Sequence, residues 1–196
     1  NDGWFYDEAF CKGYDAWWAD KRARRDIDID RENVQSFVRA STGAMLGEES
    51  GKNFVYSPLN VYMALSMLAE CTDGDSRTQI LSLLRENRLE DVRAQAKALW
   101  NANYCADGAV TSVLASSVWL DDGVGYVQKT LDTLAQDYYA SSFSGEMGSD
   151  SYNKALQNWL NEQTGGLLQE QASGLEFTPE TVMALATTIY YRAKWS

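Results

Sequence analysis

The stretch NFVYSPLNVYMALSMLAECTDGDSRTQILSLL, residues 53–84, changes its hydrophobic period abruptly at a Ser-Pro step. Phe54, Val55 and Tyr56 form a short β-favouring run, Ser57 suits a helix N-cap, and Pro58 suits the first turn, where its missing N–H costs nothing. A strand feeding a helix is predicted. From Leu59 to Leu68 that helix is apolar nearly all round, relieved only by Asn60 and Ser66, so it belongs inside a domain rather than on its surface. Asp73, Gly74, Asp75 and Ser76 then supply a turn and a new N-cap, and Ile80, Leu81, Leu83 and Leu84 give the next helix its apolar side.

Outward from this block, helical and strand periods alternate, as an α+β domain requires. Val34, Phe37, Val38 and Met45 share a helical face that opens at Asp30 and ends at Gly47, and Val92, Ala96, Leu99 and Trp100 mark a later one. Residues 110–120 put Val113, Ala115 and Trp119 on one side and Leu114, Val118 and Leu120 on the other, which predicts a central strand covered on both faces. Val127, Leu131, Leu134 and Tyr138 make another helical stripe, as do Tyr152, Ala155, Leu156, Trp159 and Leu160. Residues 182–191 are rich in β-branched and aromatic side chains and read as a second interior strand. Residues 1–29 stand apart. They mix Trp4, Phe5, Tyr6, Phe10, Tyr14, Trp17 and Trp18 with acids and the basic run Lys21, Arg22, Arg24 and Arg25, and read as an extension or linker ahead of a domain over residues 30–196.

Composition narrows the function classes. Hydrophobic residues at 45% and charged residues at 23% are ordinary for a globular chain of 196 residues. A formal charge of -11 argues against electrostatic binding to nucleic acid or an anionic membrane. No apolar run approaches the roughly 18 residues of a membrane span. The chain has no histidine, which excludes Ser-His-Asp and Cys-His devices and leaves Cys11, Cys71 and Cys105 without partners for a mixed zinc site. Isolated thiols in packed positions fit these three cysteines best, with one disulfide and a free thiol as the alternative. Asp26, Asp28 and Asp30 alternate like the start of a calcium loop, but Arg31 and Phe37 occupy the positions that need glycine and glutamate. Ser151 and Lys154 have the S-x-x-K spacing without its companion motifs, and Gly123 and Gly125 lack the third glycine of a dinucleotide loop, where Gln128 stands. No metal or cofactor is expected, and no enzyme activity.

Residues 53–84 resemble the serpin family, whose members carry Ser-Pro-x-Ser, a buried helix and a Gly-x-Thr-x-x-x-Ile turn; Ser57, Pro58, Ala64, Leu65, Met67, Leu68, Gly74 and Ile80 match, with Ser76 in place of the Thr. Leu156, Trp159, Leu160, Thr164 and Leu168 resemble the family's Ile-Asn-x-Trp-Val-x-x-x-Thr-x-Gly-x-Ile, with Gln157 for its Asn. Ile189, Tyr190, Tyr191, Arg192 and Trp195 resemble its Asn-Ala-Ile-Tyr-Phe-Lys-Gly-x-Trp strand, with Ala193 for its Gly. Three blocks in the right order make the resemblance specific.

The resemblance implies a serpin fold, helices on a large central β-sheet. This chain would supply the N-terminal helices and first strands and end after the third strand of that sheet, as a truncated or proteolytically cut chain. Residues 110–120 would be the second strand, residues 182–191 the third, and the helix around Trp159 would lie across their face. It further implies a parent that inhibits serine or cysteine proteases as a suicide substrate, by cleavage and insertion of a reactive loop lying outside this chain. The family's shutter falls on Ser57, Asn60 and Thr187, where a carboxamide has moved from strand to helix and a hydroxyl from helix to strand, so the three are expected to lie together with Asn60 hydrogen-bonded toward the third strand. Its breach falls on Trp195. Implied partners are the target protease, through the missing part, and the remaining C-terminal half or another copy of the chain. An extracellular or surface-tethered location fits, and the lack of any N-x-S/T sequon favours a bacterial source over a glycosylated plasma protein. A non-inhibitory serpin acting as a binding or scaffold protein is the alternative, and a carbohydrate-binding module using Trp17 and Trp18 a third class. Because the last strand is apolar on both faces, the chain alone is expected to inhibit nothing and to associate with its other half or with itself. Sedimentation and mass spectrometry would check this, a lone stable monomer being the contrary result.

Overall fold

A computed structural model describes residues 29–47, 53, 55–106 and 110–193, together with residues 19 and 22. Helix α1 (Arg31–Leu46) begins where the sequence places its cap: Asp30 Oδ1 accepts hydrogen bonds from the backbone N–H groups of Glu32 and Asn33, and Gly47 closes the last turn on Gly43. Phe37 is buried and Val34 and Val38 pack beside it, while Met45 stands outside the packed part of the helix, 47% exposed. Helix α2 (Pro58–Cys71) starts at the Ser57 cap with Pro58 in its first turn. The strand expected ahead of it does not form at Val55 and Tyr56. Val55 is 95% exposed, and a strand needs a paired neighbour to satisfy its backbone. Helices α3 (Gly74–Leu84, capped by Asp73) and α4 (Leu89–Asn103) follow.

Strands β1 (Cys105–Ala106) and β2 (Val110–Asp121) lead to α5 (Gln128–Tyr138), β3 (Ala140–Gly145), α6 (Asp150–Gln163), the short α7 (Gln169–Ala172) and β4 (Met183–Ala193). The described residues thus form an α+β fold of seven helices and one four-stranded sheet. β2 is its centre. It runs antiparallel to β4 from Val110↔Ala193 to Leu120↔Met183, which occupies one edge, and its other edge is shared by β1 near Thr111 and by β3, parallel, from Ser116↔Ala140 to Asp121↔Gly145.

Both faces of β2 are covered, as its pattern predicts. On one face Leu114, Val118 and Leu120 join Met63 and Met67 of α2, Ala96 of α4, and Leu134 and Tyr138 of α5, with Met183 and Leu185 of β4 packed alongside. On the other, Trp119 is buried under α6 among Tyr152, Leu156, Trp159 and Leu160, with Ala184 and Ala186 of β4 beside them. Trp119 stacks on Phe143 at 4.1 Å between centroids, meets Tyr152 edge-on at 5.3 Å, and donates its indole N–H to Ser117 Oγ at 2.8 Å. The helix of Trp159 therefore lies across the β2–β4 face. Its far end closes on the sheet at Gly165, whose φ of +62° suits glycine and where a Cβ would come within 2.7 Å of the Tyr190 ring. A third core joins Phe37, Tyr62, Ile80, Leu84, Val92 and Leu99 of α1 to α4, so α2 is sandwiched between helices and sheet. No helix among the described residues is long and apolar enough to cross a membrane.

Glu86, after α3, sits in an acidic corner. Burial raises its carboxyl pKa; the 3.3 Å bond from Asn33 Nδ2 opposes that rise, and the charges of Asp30 and Asp91 add to it. A raised folded pKa contributes stability that is fully present below the unfolded pKa and is lost as pH rises through the folded value. Glu86→Gln, which keeps the acceptor for Asn33, is expected to be more stable than wild type at about pH 7, by less than about 1 kcal/mol for so solvated a group. The gain should disappear near about pH 3. Urea titrations at the two pH values check this, and equal midpoints at both would contradict it.

Candidate functional site

The region that the sequence singles out lies where the first turn of α2 meets the middle of the sheet. A helix leaves its first N–H groups without intrahelical partners, and Ser57 supplies one: its Oγ accepts from Asn60 N at 3.4 Å. Thr187, in the middle of β4, donates its hydroxyl to the backbone carbonyl of Asn60 at 3.2 Å. The structure therefore brings Ser57, Asn60 and Thr187 together, and joins helix to strand through the Asn60 main chain rather than its carboxamide. That carbonyl is free to do so, since it has two lone pairs and the helix uses only one. Asn60 Oδ1 is itself buried and has no hydrogen-bond partner among the described residues, and the same holds for Tyr56 OH and Ser116 Oγ. Ser116 faces Thr187 in register across β2 and β4. Trp195 lies outside the described residues, as do Trp17, Trp18 and Cys11.

On the opposite face, α6 holds the segment that returns to β4. Gln157 Nε2 donates to the carbonyls of Ser173 and Leu175 at 3.3 and 3.2 Å, and the buried Asn153 Oδ1 accepts from Phe177 N at 2.8 Å. Residues 173–177 are thus fastened to α6 by two side chains one helical turn apart. The longer glutamine at position 157 reaches two carbonyls at once.

A third feature lies beyond what the sequence pattern singles out. Glu70, one residue before the end of α2, is an acidic side chain only 7% exposed. Its Oε1 accepts from Arg93 Nε of α4 at 2.6 Å and from the hydroxyl of Tyr138, in α5, at 2.8 Å, while Oε2 accepts from Arg93 Nη2 at 2.8 Å. The bidentate guanidinium is what makes a buried carboxylate tolerable here. The hydrogen bond from Arg93 to Glu70 raises the Arg93 pKa, and burial, then the Glu70 charge, raise that of Tyr138. The spacing does carry a signal, since Glu70 falls seven residues after Met63 and three after Met67, on the buried face. Cys71 beside it carries a free thiol whose pKa is raised by burial, then by Glu70, which makes it a poor nucleophile. No cluster of three or more metal-ligating side chains occurs among the described residues.

Among the described residues β3 and β4 each pair with β2 alone, so the outer edges of both are open. An edge of this kind can accept a further strand.

Comparison with known proteins agrees with this architecture. The family model described as Serpin (serine protease inhibitor) matches residues 32–196. The chain is 24% identical over 172 residues to alpha-1-antitrypsin of Meriones unguiculatus, covering 85% of this chain and 42% of that protein. It is 26% identical over 153 residues to Serpin-Z2B of Oryza sativa subsp. japonica, covering 76% and 35%. Among solved structures it superposes on the thermophilic serpin tengpin in its latent state with a TM-score of 0.73 at 21% identity, covering 86% of this chain and 46% of tengpin, and on emu (Dromaius novaehollandiae) ovalbumin with a TM-score of 0.74 at 18% identity, covering 83% and 45%. The chain therefore spans less than half the length of the relatives it matches.

Thr187→Val keeps the β-branched shape and removes the hydroxyl bonded to Asn60. It is expected to lower stability by about 1 kcal/mol, the net value of one such bond. Urea denaturation checks this; an unchanged midpoint would mean that the Thr187 contact carries no energy.

Proposed function

Because this chain belongs to the serpin family, we propose that it forms the sheet-bearing part of a suicide-substrate inhibitor of serine or cysteine proteases. The observation that carries this reading is the family match over residues 32–196, on a sheet whose strand β4 is backed by α2 at Thr187 and by α6 at Ala184 and Ala186. In such an inhibitor a protease nucleophile attacks the carbonyl of an exposed reactive loop, the scissile peptide bond breaks, and the amine side leaves with a proton while the carbonyl side remains as an acyl-enzyme. The freed loop then pairs as a new strand along β4. Insertion carries the bound protease with it and distorts its active site before water can hydrolyse the ester or thioester. In this mechanism the chain's part is to hold an edge open and then to accept a strand, so we read the protein as a non-enzyme.

Several features support this role. β4 is backed on both faces, by α2 at Thr187 and by α6 through Ala184 and Ala186, so its edge is presented by a supported strand. We assign Ser57, Asn60 and Thr187 to the shutter beneath the sheet and Trp195 to the breach at which insertion starts. The reactive loop would lie outside this chain, and protease contacts would run through it. An extracellular or cell-surface location suits such a target.

The full-length protein is expected to form an SDS-resistant adduct with a serine or cysteine protease drawn from a panel of trypsin-like, chymotrypsin-like and papain-like enzymes. Cutting the loop with a non-target protease should raise the melting temperature by about 10 °C or more, the signature of several kcal/mol gained by a paired strand. A cleaved protein with an unchanged melting temperature and no adduct would overturn inhibition and favour a serpin that acts as a binding or scaffold protein.

A further inference from the structure

We propose that Tyr138 and Glu70 form a positioning pin that holds the sheet against the helices and sets the rate at which the sheet opens, an inference that rests on the insertion mechanism above. α1, α2, α3 and α4 share one core, built on Phe37, Tyr62, Ile80, Leu84, Val92 and Leu99. β2, β3 and β4 share another with α6, built on Trp119 and Trp159. Between the two bodies lies the apolar layer of Met63, Met67, Leu114, Val118 and Leu134, whose contacts carry no direction and allow sliding.

The chain itself ties the end of α5 to the sheet. One residue, Tyr139, separates its last turn from β3, and that residue is fixed at φ 52° with its N–H bonded to Leu134 O. Ala140 then enters the ladder opposite Ser116. The Tyr138 hydroxyl therefore reaches from the sheet body into the helical body, where Glu70 is already locked by Arg93. Both partners are buried, Tyr138 fully. Other side-chain bonds that cross the layer have a more exposed partner: Trp100 Nε1 to Leu114 O at 2.6 Å, Thr187 to Asn60 O, Lys97 to Asp137 at 3.0 Å and Asn101 to Tyr139 at 3.3 Å. Water can take over when those part. The Tyr138 hydroxyl is fully buried, so it must move before water can reach it.

Movement of β2, β3 and α5 past α2 strips one of the three bonds from the Glu70 carboxylate and leaves a hydroxyl orphaned among apolar side chains. There is room for the shift. A cleft of about 430 Å³ opens beside the pin, lined by Glu70, Leu120, Thr130, Leu131 and Met183, between α2, β2, β4 and the start of α5. The pin thus resists a motion that the packing alone would permit.

Tyr138→Phe keeps the buried ring and removes only the hydroxyl, and Tyr139→Phe is the control that loses only an exposed bond to Asn101. In the full-length protein, with the loop cut by a protease, the rate of insertion is read from the change in tryptophan fluorescence, and stability from urea midpoints of cut and uncut forms. The expected result is insertion about tenfold faster in Tyr138→Phe and unchanged in Tyr139→Phe, the scale of one buried charge-assisted bond absent from the transition state. If wild type inserts and Tyr138→Phe inserts at the same rate, losing equal stability in both forms, the hydroxyl is merely structural and the pin is refuted while the insertion mechanism stands. If wild type gains no stability on cleavage, the insertion mechanism fails and the pin with it.

Discussion

The structure depends on burying both faces of one strand. β2 has Val118 and Leu120 against α2, α4 and α5, and Trp119 between them against α6. Each buried side chain of that size is worth roughly 1.5–3 kcal/mol, but the two faces can be filled only if the strand's backbone is also satisfied. β1, β3 and β4 divide that task between its two edges. Once β2 is so enclosed, every other element has its place fixed relative to it: α2 beneath, α6 above, β4 alongside.

That arrangement gives β4 a divided character. Its edge toward β2 is paired along the whole strand, and over Met183 to Ala186 its faces are occupied by the same two layers that enclose β2, while Ile189 and Tyr191 stand exposed. Its outer edge has no described partner. A strand so braced presents a ladder of backbone groups on its outer side, with which an added strand can pair. The polar contacts lie where motion would have to be controlled: Thr187 on Asn60 below, Gln157 and Asn153 on the returning segment above, and Glu70 with Arg93 and Tyr138 at the helical seam. Apolar layers hold the bodies together, and these directional bonds set their register.

Much of this is legible in the sequence because it rests on period and on caps. Asp30, Ser57 and Asp73 are read directly as helix starts, and the two apolar sides of residues 110–120 announce a covered strand. The stripe through Trp159 marks a helix, and its place on the sheet face follows from resemblance. β3 is not legible because ASSFSG is small and polar, with no alternation, and is a strand only because β2 offers it a ladder. β1 is two residues long and has no pattern to read. Phe54, Val55 and Tyr56 have strand propensity, yet Val55 and Tyr56 form no strand, since propensity cannot replace a partner. At the site, the meeting of Ser57, Asn60 and Thr187 follows from resemblance, whereas the use of the Asn60 carbonyl depends on the depth at which α2 lies under β4. Glu70 can be placed on the buried face from its spacing, but nothing local to it names Arg93 or Tyr138, which are 23 and 68 residues away.

The central claim is that the outer edge of β4 takes up a new strand. Hydrogen–deuterium exchange of the full-length protein, before and after loop cleavage, measures it at the strand itself, because the alternate β4 amides that point away from β2 are the ones an added strand would engage. If the edge is an acceptor, those amides slow by orders of magnitude on cleavage while the amides facing β2 change little. Equal exchange of β4 in the cut and uncut protein would contradict the claim, and would leave the sheet a static support rather than a moving part.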